Sequence, residues 1–279
     1  MNKIIAALDG LNLSENTVDY AVYLAKEFDA HIVVAFLEEM VYHSRPGTDD
    51  DDFVSTDWSN IDTAVKKEEQ LRTDAKNKVQ KNLEAAGVHF NIHRDKTFAL
   101  KSLIEESHYA DLILIDENET FSNWDSSNPS QFIRNLLSDS ACPVMLVPGK
   151  FRPIEKFVFA YDGSPASVYA IKQFSYLFPV TAVQQVEILM ISDDKHTNHF
   201  PNQHLLKELL KRKYTTVVAS IIKSESIDTA LVDHMQTENK NSMLILGAYQ
   251  RSSFSRWLYQ SIADTLISEV EVPLFIAHK

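Results

Sequence analysis

The chain repeats itself. An apolar, strand-like run from Lys3 to Leu8 leads into Asp9-Gly10 and then a helical pattern with Val18, Ala21, Val22 and Ala25 on one face. Phe157 to Tyr161 leads in the same way into Asp162-Gly163-Ser164 and a helix through Val168, Ile171 and Phe174. Each half then offers a second strand (His31 to Leu37; Val186 to Ile191) and a third (Val88 to Arg94; Thr215 to Ile222). A helix follows each third strand (Leu100 to Ser107; Thr229 to Gln236). Next come a short apolar strand (Asp111 to Ile115; Ser242 to Leu246), a loop, and a helix (Phe132 to Asp139; Ile262 to Ser268). A Pro-led strand closes each half, Pro143 to Val147 and Pro273 to Ala277. Strands that are apolar throughout and alternate with helices predict a parallel sheet covered on both faces.

The expected architecture is therefore α/β, two tandem doubly wound domains of five strands each. The first spans 1–149 and carries an insertion around 40–86, with a polar helix near Ile61 to Ala86. The second spans 154–279, after a linker at Gly149-Lys150-Phe151-Arg152-Pro153. Ser14 is the expected N-cap of the first helix. The last strand of each half would be an exposed edge, and pairing the two removes that hazard.

Charge separates the halves. The net charge is −12, and all of it lies in residues 1–150; residues 151–279 balance to zero. An acidic surface disfavours nucleic acid and anionic membranes as partners. No stretch approaches a membrane span, the N-terminal apolar run meets Asp9 too soon for a signal peptide, and a single cysteine excludes an intrachain disulfide. Cytoplasm is the expected compartment.

Several motifs, in order and twice over, resemble the universal stress protein family. They are the strand into Asp-Gly-Ser-Pro-Ala-Ser at 162–167, the DLILI-type fourth strand, Cys-Pro-Val-Met-Leu-Val at 142–147, and Gly247-Ala248-Tyr249-Gln250-Arg251-Ser252. The resemblance covers nearly the whole chain. It implies an adenine nucleotide alpha hydrolase-like sheet of strand order 3-2-1-4-5 in each half. It also implies an intrachain pseudo-dimer formed through the last strands, and leaves open a further homodimer of chains. Nucleotide-binding members hold ATP between strands one and four, which is also the topological switch point where a parallel sheet opens a crevice. Their loop reads Gly, two residues, Gly, nine residues, Gly, then Ser or Thr.

Here the frame in the second half reads Gly247, Gln250, Gln260, Ser261, and in the first half Asp116, Glu119, Pro129, Ser130. Glycine permits positive φ and close approach of amides to phosphate oxygens, and the glutamines restrict both. Acidic residues at 116, 117, 119 and 125 would repel a triphosphate in the first half. The second loop instead carries Arg251 and Arg256, and helix N-terminal amides near Ser261 can receive an anion. The resemblance thus implies that any ATP or other adenine nucleotide, with Mg, resides in the second half. It would be held by Asp162, Gly247, Arg251, Arg256, Gln260 and Ser261, while the first half serves as a structural partner. The alternative is an interaction or scaffold protein with relict loops and no ligand.

Other groups have blander readings beside the sharper ones. Asp9 and Asp162 read as adenosine contacts or as turn residues accepting backbone N–H groups. Asp49 to Asp52 form a solvated acidic loop lacking the Gly and Glu of an EF-hand. His196, His199 and His204 lie close in sequence, in a Pro-containing loop, without a recognised zinc spacing. Cys142 reads as a small buried hydrophobe. Phe254, Trp257, Leu258 and Tyr259 read as interdomain packing or a partner patch. No residue set supplies a base, nucleophile or metal centre, so the chain is expected not to be an enzyme.

Overall fold

The computed structural model describes residues 1–37, 58–95, 99–121, 127–178, 185–238, 240–247 and 260–277. The acidic run at 49–52 and the aromatic segment at 254–259 lie outside them.

In the first half, β1 (Lys3–Asp9) leads to α1 (Glu15–Phe28), β2 (His31–Leu37), α2 (Trp58–Ala86) and β3 (Phe90–Asp95). Then come α3 (Ala99–Ser107), β4 (Leu112–Asp116), α4 (Gln131–Asp139) and β5 (Val144–Val147). The second half runs β6 (Lys156–Ala160), α5 (Pro165–Leu177), β7 (Gln185–Ser192), α6 (Gln203–Lys211) and β8 (Val217–Lys223). It ends with α7 (Ile227–Thr237), β9 (Ser242–Gly247), α8 (Gln260–Glu269) and β10 (Leu274–Ala277). Helix α6 corrects the sequence expectation of a loop through His204. The peptide after the Pro201 turn has Leu205, Leu206, Leu209 and Leu210 at helical spacing, and Leu206 and Leu210 are buried.

All ten strands form one sheet, ordered β3-β2-β1-β4-β5-β10-β9-β6-β7-β8. Each half is 3-2-1-4-5 and parallel within itself. The one antiparallel junction is β5 against β10, with Met145 opposite Phe275. The two would-be edges thus cover each other, as edge physics requires. The halves are also joined by an ion pair, Arg134 on α4 to Asp264 on α8 at 2.9 Å, and by edge-to-face contact of Phe28 with Phe178.

Alternate residues of each central strand enter opposite layers. Ile4, Ala6 and Leu8 join one apolar cluster, with α1 and α5. Ile5 and Ala7 join the other, with α3, α4, α7 and α8. That is why these strands read as unbroken apolar runs. At the outer edges the rule relaxes: β3 carries Asn91, His93 and Arg94, and Val218 of β8 is exposed. Helix α1 starts as its sequence dictates, with Ser14 in extended geometry accepting the Thr17 N–H.

Candidate functional site

In a doubly wound sheet the loops after the first and fourth strands leave in opposite directions and open a crevice at the strands' carboxyl ends. Here that places Asp9 and Asp116 at one crevice, and Asp162 and Gly247 at the other.

The first crevice is bridged by its own side chains. Ser14 donates its hydroxyl proton to Asp116 at 2.7 Å, joining the cap of α1 to the end of β4. Asp116 also accepts the Asn118 N–H at 2.9 Å. Glu119 is buried, and its carboxylate accepts the N–H groups of Thr120 and Phe121, both at 3.1 Å. Burial, and then the charges of Asp9 and Asp116, push its carboxyl up to about 7 despite those two bonds. Glu117 is buried too and rises to about 8, from burial first and then from Asp116 and Glu271. Its Oε2 has no hydrogen-bond partner among the described residues. Asp9, Asp116, Glu117 and Glu119 thus crowd acidic groups at this end of the sheet, and the charge on those that ionise opposes a polyphosphate.

Ser130, the serine retained in this loop, has a structural task. It caps α4 by accepting the Ile133 N–H at 3.2 Å and donates to the Glu119 carbonyl at 2.5 Å. Asp9 accepts the Leu11 N–H at 2.8 Å, the geometry of a turn residue.

The second crevice has no carboxylate bridge of this kind among the described residues. Asp162 accepts the Ser164 N–H at 2.8 Å, and Ser164 caps α5 through the Ser167 N–H at 3.1 Å. Gly163 takes φ +78°, and a Cβ on it would lie 2.5 Å from Pro201 Cβ. Tyr161 donates to the Pro201 carbonyl at 2.7 Å, so the segment before α6 packs down onto the end of β6. Gly247 ends β9 directly against the first turn of α5. A Cβ there would lie 2.4 Å from the backbone of Ala166 and 2.6 Å from Ser167 N. Its glycine is required by packing, with or without a ligand. Gln260 and Ser261 open α8, so its N-terminal amides face this end of the sheet. Arg251 and Arg256 lie outside the described residues. The structure therefore brings Asp162 and Gly247 to one crevice beside the start of α8.

The remaining candidates separate cleanly. Cys142 is buried and its thiol is pushed up to about 12, chiefly by burial, as befits a small hydrophobe. His196 and His204 are exposed, and Asp194 is engaged by the His196 N–H and the Thr197 hydroxyl.

Among the described residues, a different group draws metal-ligand atoms together: Glu187, His234 and Glu238. Lys156 pairs with both of its carboxylates, with Nζ 2.8 Å from Glu187 and 2.5 Å from Glu238. Burial acts to raise the Glu187 carboxyl, but hydrogen bonds from His234 and Lys156 outweigh it and bring it to about 2. The ammonium supplies the cation this group needs, and its role is to tie β6, β7 and α7 together. One clue was available in the sequence: a lone Glu inside the apolar run Val186 to Ile191.

Solved structures share this architecture. A universal stress protein from Archaeoglobus fulgidus matches with a TM-score of 0.70 at 17% identity, over 99% of this chain and 98% of that one. The chain has the universal stress protein fold. A second match, a functionally unknown protein from Pseudomonas aeruginosa PAO1, has a TM-score of 0.58 at 14% identity, over 100% of this chain and 92% of that one. No family model matches the sequence, and no curated protein does. The likeness to universal stress proteins resides in strand order, layers and whole-chain coverage. Among the described residues, no helix is long and apolar enough to cross a membrane.

Proposed function

We propose that this chain is a non-enzymatic protein of universal stress protein type, acting in the cytoplasm without nucleic-acid or membrane partners. Any adenine nucleotide, ATP with Mg above all, binds in the second half, at Asp162, Gly247, Arg251, Arg256, Gln260 and Ser261. The first half is its structural partner. The observation that carries this reading is the acidic make-up of the first crevice, where Asp9 and Asp116 end β1 and β4 and the buried Glu119 lies close enough to feel both charges. Nothing comparable stands beside Asp162 and Gly247 among the described residues, and α8 directs amide N–H groups toward that end of the sheet.

A second reading, a nucleotide-independent interaction protein, is favoured by the packing of Gly247 on Ala166 and of Gly163 on Pro201. These contacts account for the surviving glycines without a ligand. Thermal unfolding with and without millimolar Mg-ATP separates the two, because a ligand that binds only the folded state raises its stability. An upward shift that Arg251→Ala weakens and Ser130→Ala leaves intact supports the first reading. No shift with ATP, ADP or AMP establishes the second.

A further inference from the structure

The ten-stranded sheet ends at β3 and β8, and the two ends are built differently. Edge β3 carries Asn91, His93, Arg94 and Asp95, and it is tied to α2 by Arg94–Glu69 at 2.7 Å and to α3 by His93–Glu106 at 3.1 Å. Charged side chains of this kind blunt an edge against pairing. Edge β8 reads Val217-Val218-Ala219-Ser220-Ile221-Ile222-Lys223, with no charge before its last residue, and none of the seven is fully buried. Among the described residues no strand pairs with its outer side. The chain on both flanks of it, from Gln203 to Thr237, is described throughout.

The backbone of β8 is engaged on one side. The Ser224 N–H donates to the Ser192 carbonyl of β7 at 3.0 Å, so even-numbered residues turn their N–H and C=O groups toward β7. By the alternation along a strand, Val217, Ala219, Ile221 and Lys223 turn theirs outward. Ser220 is the middle of the seven residues. An antiparallel copy centred on Ser220 sets Ala219 opposite Ile221, Val218 opposite Ile222 and Val217 opposite Lys223, and every outward group meets a partner. Val218, 55% exposed, gains an apolar neighbour across the pair.

Charge selects the occupant. The chain enters β8 through exposed Lys211, Arg212 and Lys213, and leaves it past exposed Glu225, with Asp228 in the first turn of α7. Lys213 rests over the Tyr176 ring, Glu225 faces Lys195 at 3.5 Å, and Asp228 accepts the Ser226 hydroxyl. These contacts are at the surface and rearrange readily. A two-fold antiparallel pair brings the basic entry of each copy beside the acidic exit of the other, twice by symmetry. A parallel pair would set the basic entries together. We propose that the outer edge of β8 is an interface for a second copy of this chain, joined by antiparallel pairing of β8 with β8 around Ser220. One strand pair is smaller than a standard stable interface, so the dimer forms in the micromolar range. It holds under either reading of the nucleotide crevice.

The test is analytical ultracentrifugation of the full chain across the micromolar range, with thermal unfolding as a check on the fold. The expected result is a monomer–dimer equilibrium. Val218→Lys puts a charge at an exposed edge position and should weaken dimerisation about tenfold. Ala219→Pro removes only an outward N–H and should abolish it. Lys213→Glu and Glu225→Lys, both outside the strand, should each weaken self-association. An equimolar mixture of those two variants should restore it, because both contacts in the mixed dimer are then attractive. A chain that stays monomeric leaves the edge bare or open to another protein's strand, and overturns the proposal. So does a dimer that folded Val218→Lys and Ala219→Pro leave unchanged, or a mixture that fails to restore association.

Discussion

Glu119→Gln tests how the first crevice is wired. The carboxylate of Glu119 accepts two backbone N–H groups, and the amide oxygen of Gln can accept the same two. The substitution therefore removes the charge while keeping the acceptor. Glu119 titrates near 4.5 when ordinary and near 7 in the fold, because burial and the Asp9 and Asp116 charges oppose ionisation. A folded-state pKa above the unfolded one means that the folded chain binds the proton more tightly between those values. Stability contributed by this group is thus whole below pH about 4.5, declines as pH rises, and is gone above about 7. A shift of roughly 2.5 units at about 1.4 kcal/mol per unit makes that loss about 3 kcal/mol. Glu117, raised to about 8, adds a loss of the same sign. Urea denaturation at pH 5, 7 and 8.5 should show the wild type losing stability across this range. Glu119→Gln should lose about 3 kcal/mol less, and should be the more stable protein at pH 8.5. Parallel pH profiles for the two proteins would refute the assignment of a buried, raised carboxyl at 119.

Two other substitutions probe the second half. Lys156→Met leaves Glu187 buried without its ammonium and should cost about 3–5 kcal/mol in chemical denaturation, whereas Lys156→Met/Glu187→Leu together should recover most of it. Gly247→Ala drives a methyl into the backbone of α5 at Ala166 and should cost more than about 2 kcal/mol by the same measurement. A neutral outcome would mean that β9 and α5 are farther apart than described.

Read alone, the sequence determined the two five-strand halves, their α/β class and the start of α1 at Ser14. Those features are local or periodic: strands buried on both faces must be apolar at every position, and a cap must carry a side-chain acceptor at one position. The sequence also placed Asp, and no glycine, at position 116, where β4 ends. The tertiary structure alone decided the rest. It made α6 a helix where a proline and histidines suggested a loop, because burial of Leu206 and Leu210 outweighs local turn signals. It gave Gly247 a packing contact against Ala166 and Ser130 the cap of α4, tasks that the loop spacing did not show. It also gathered Lys156, Glu187, His234 and Glu238 into one network, from elements far apart in the chain. Charge pairing depends on separations of a few ångströms between side chains, and distance along the chain carries no record of those.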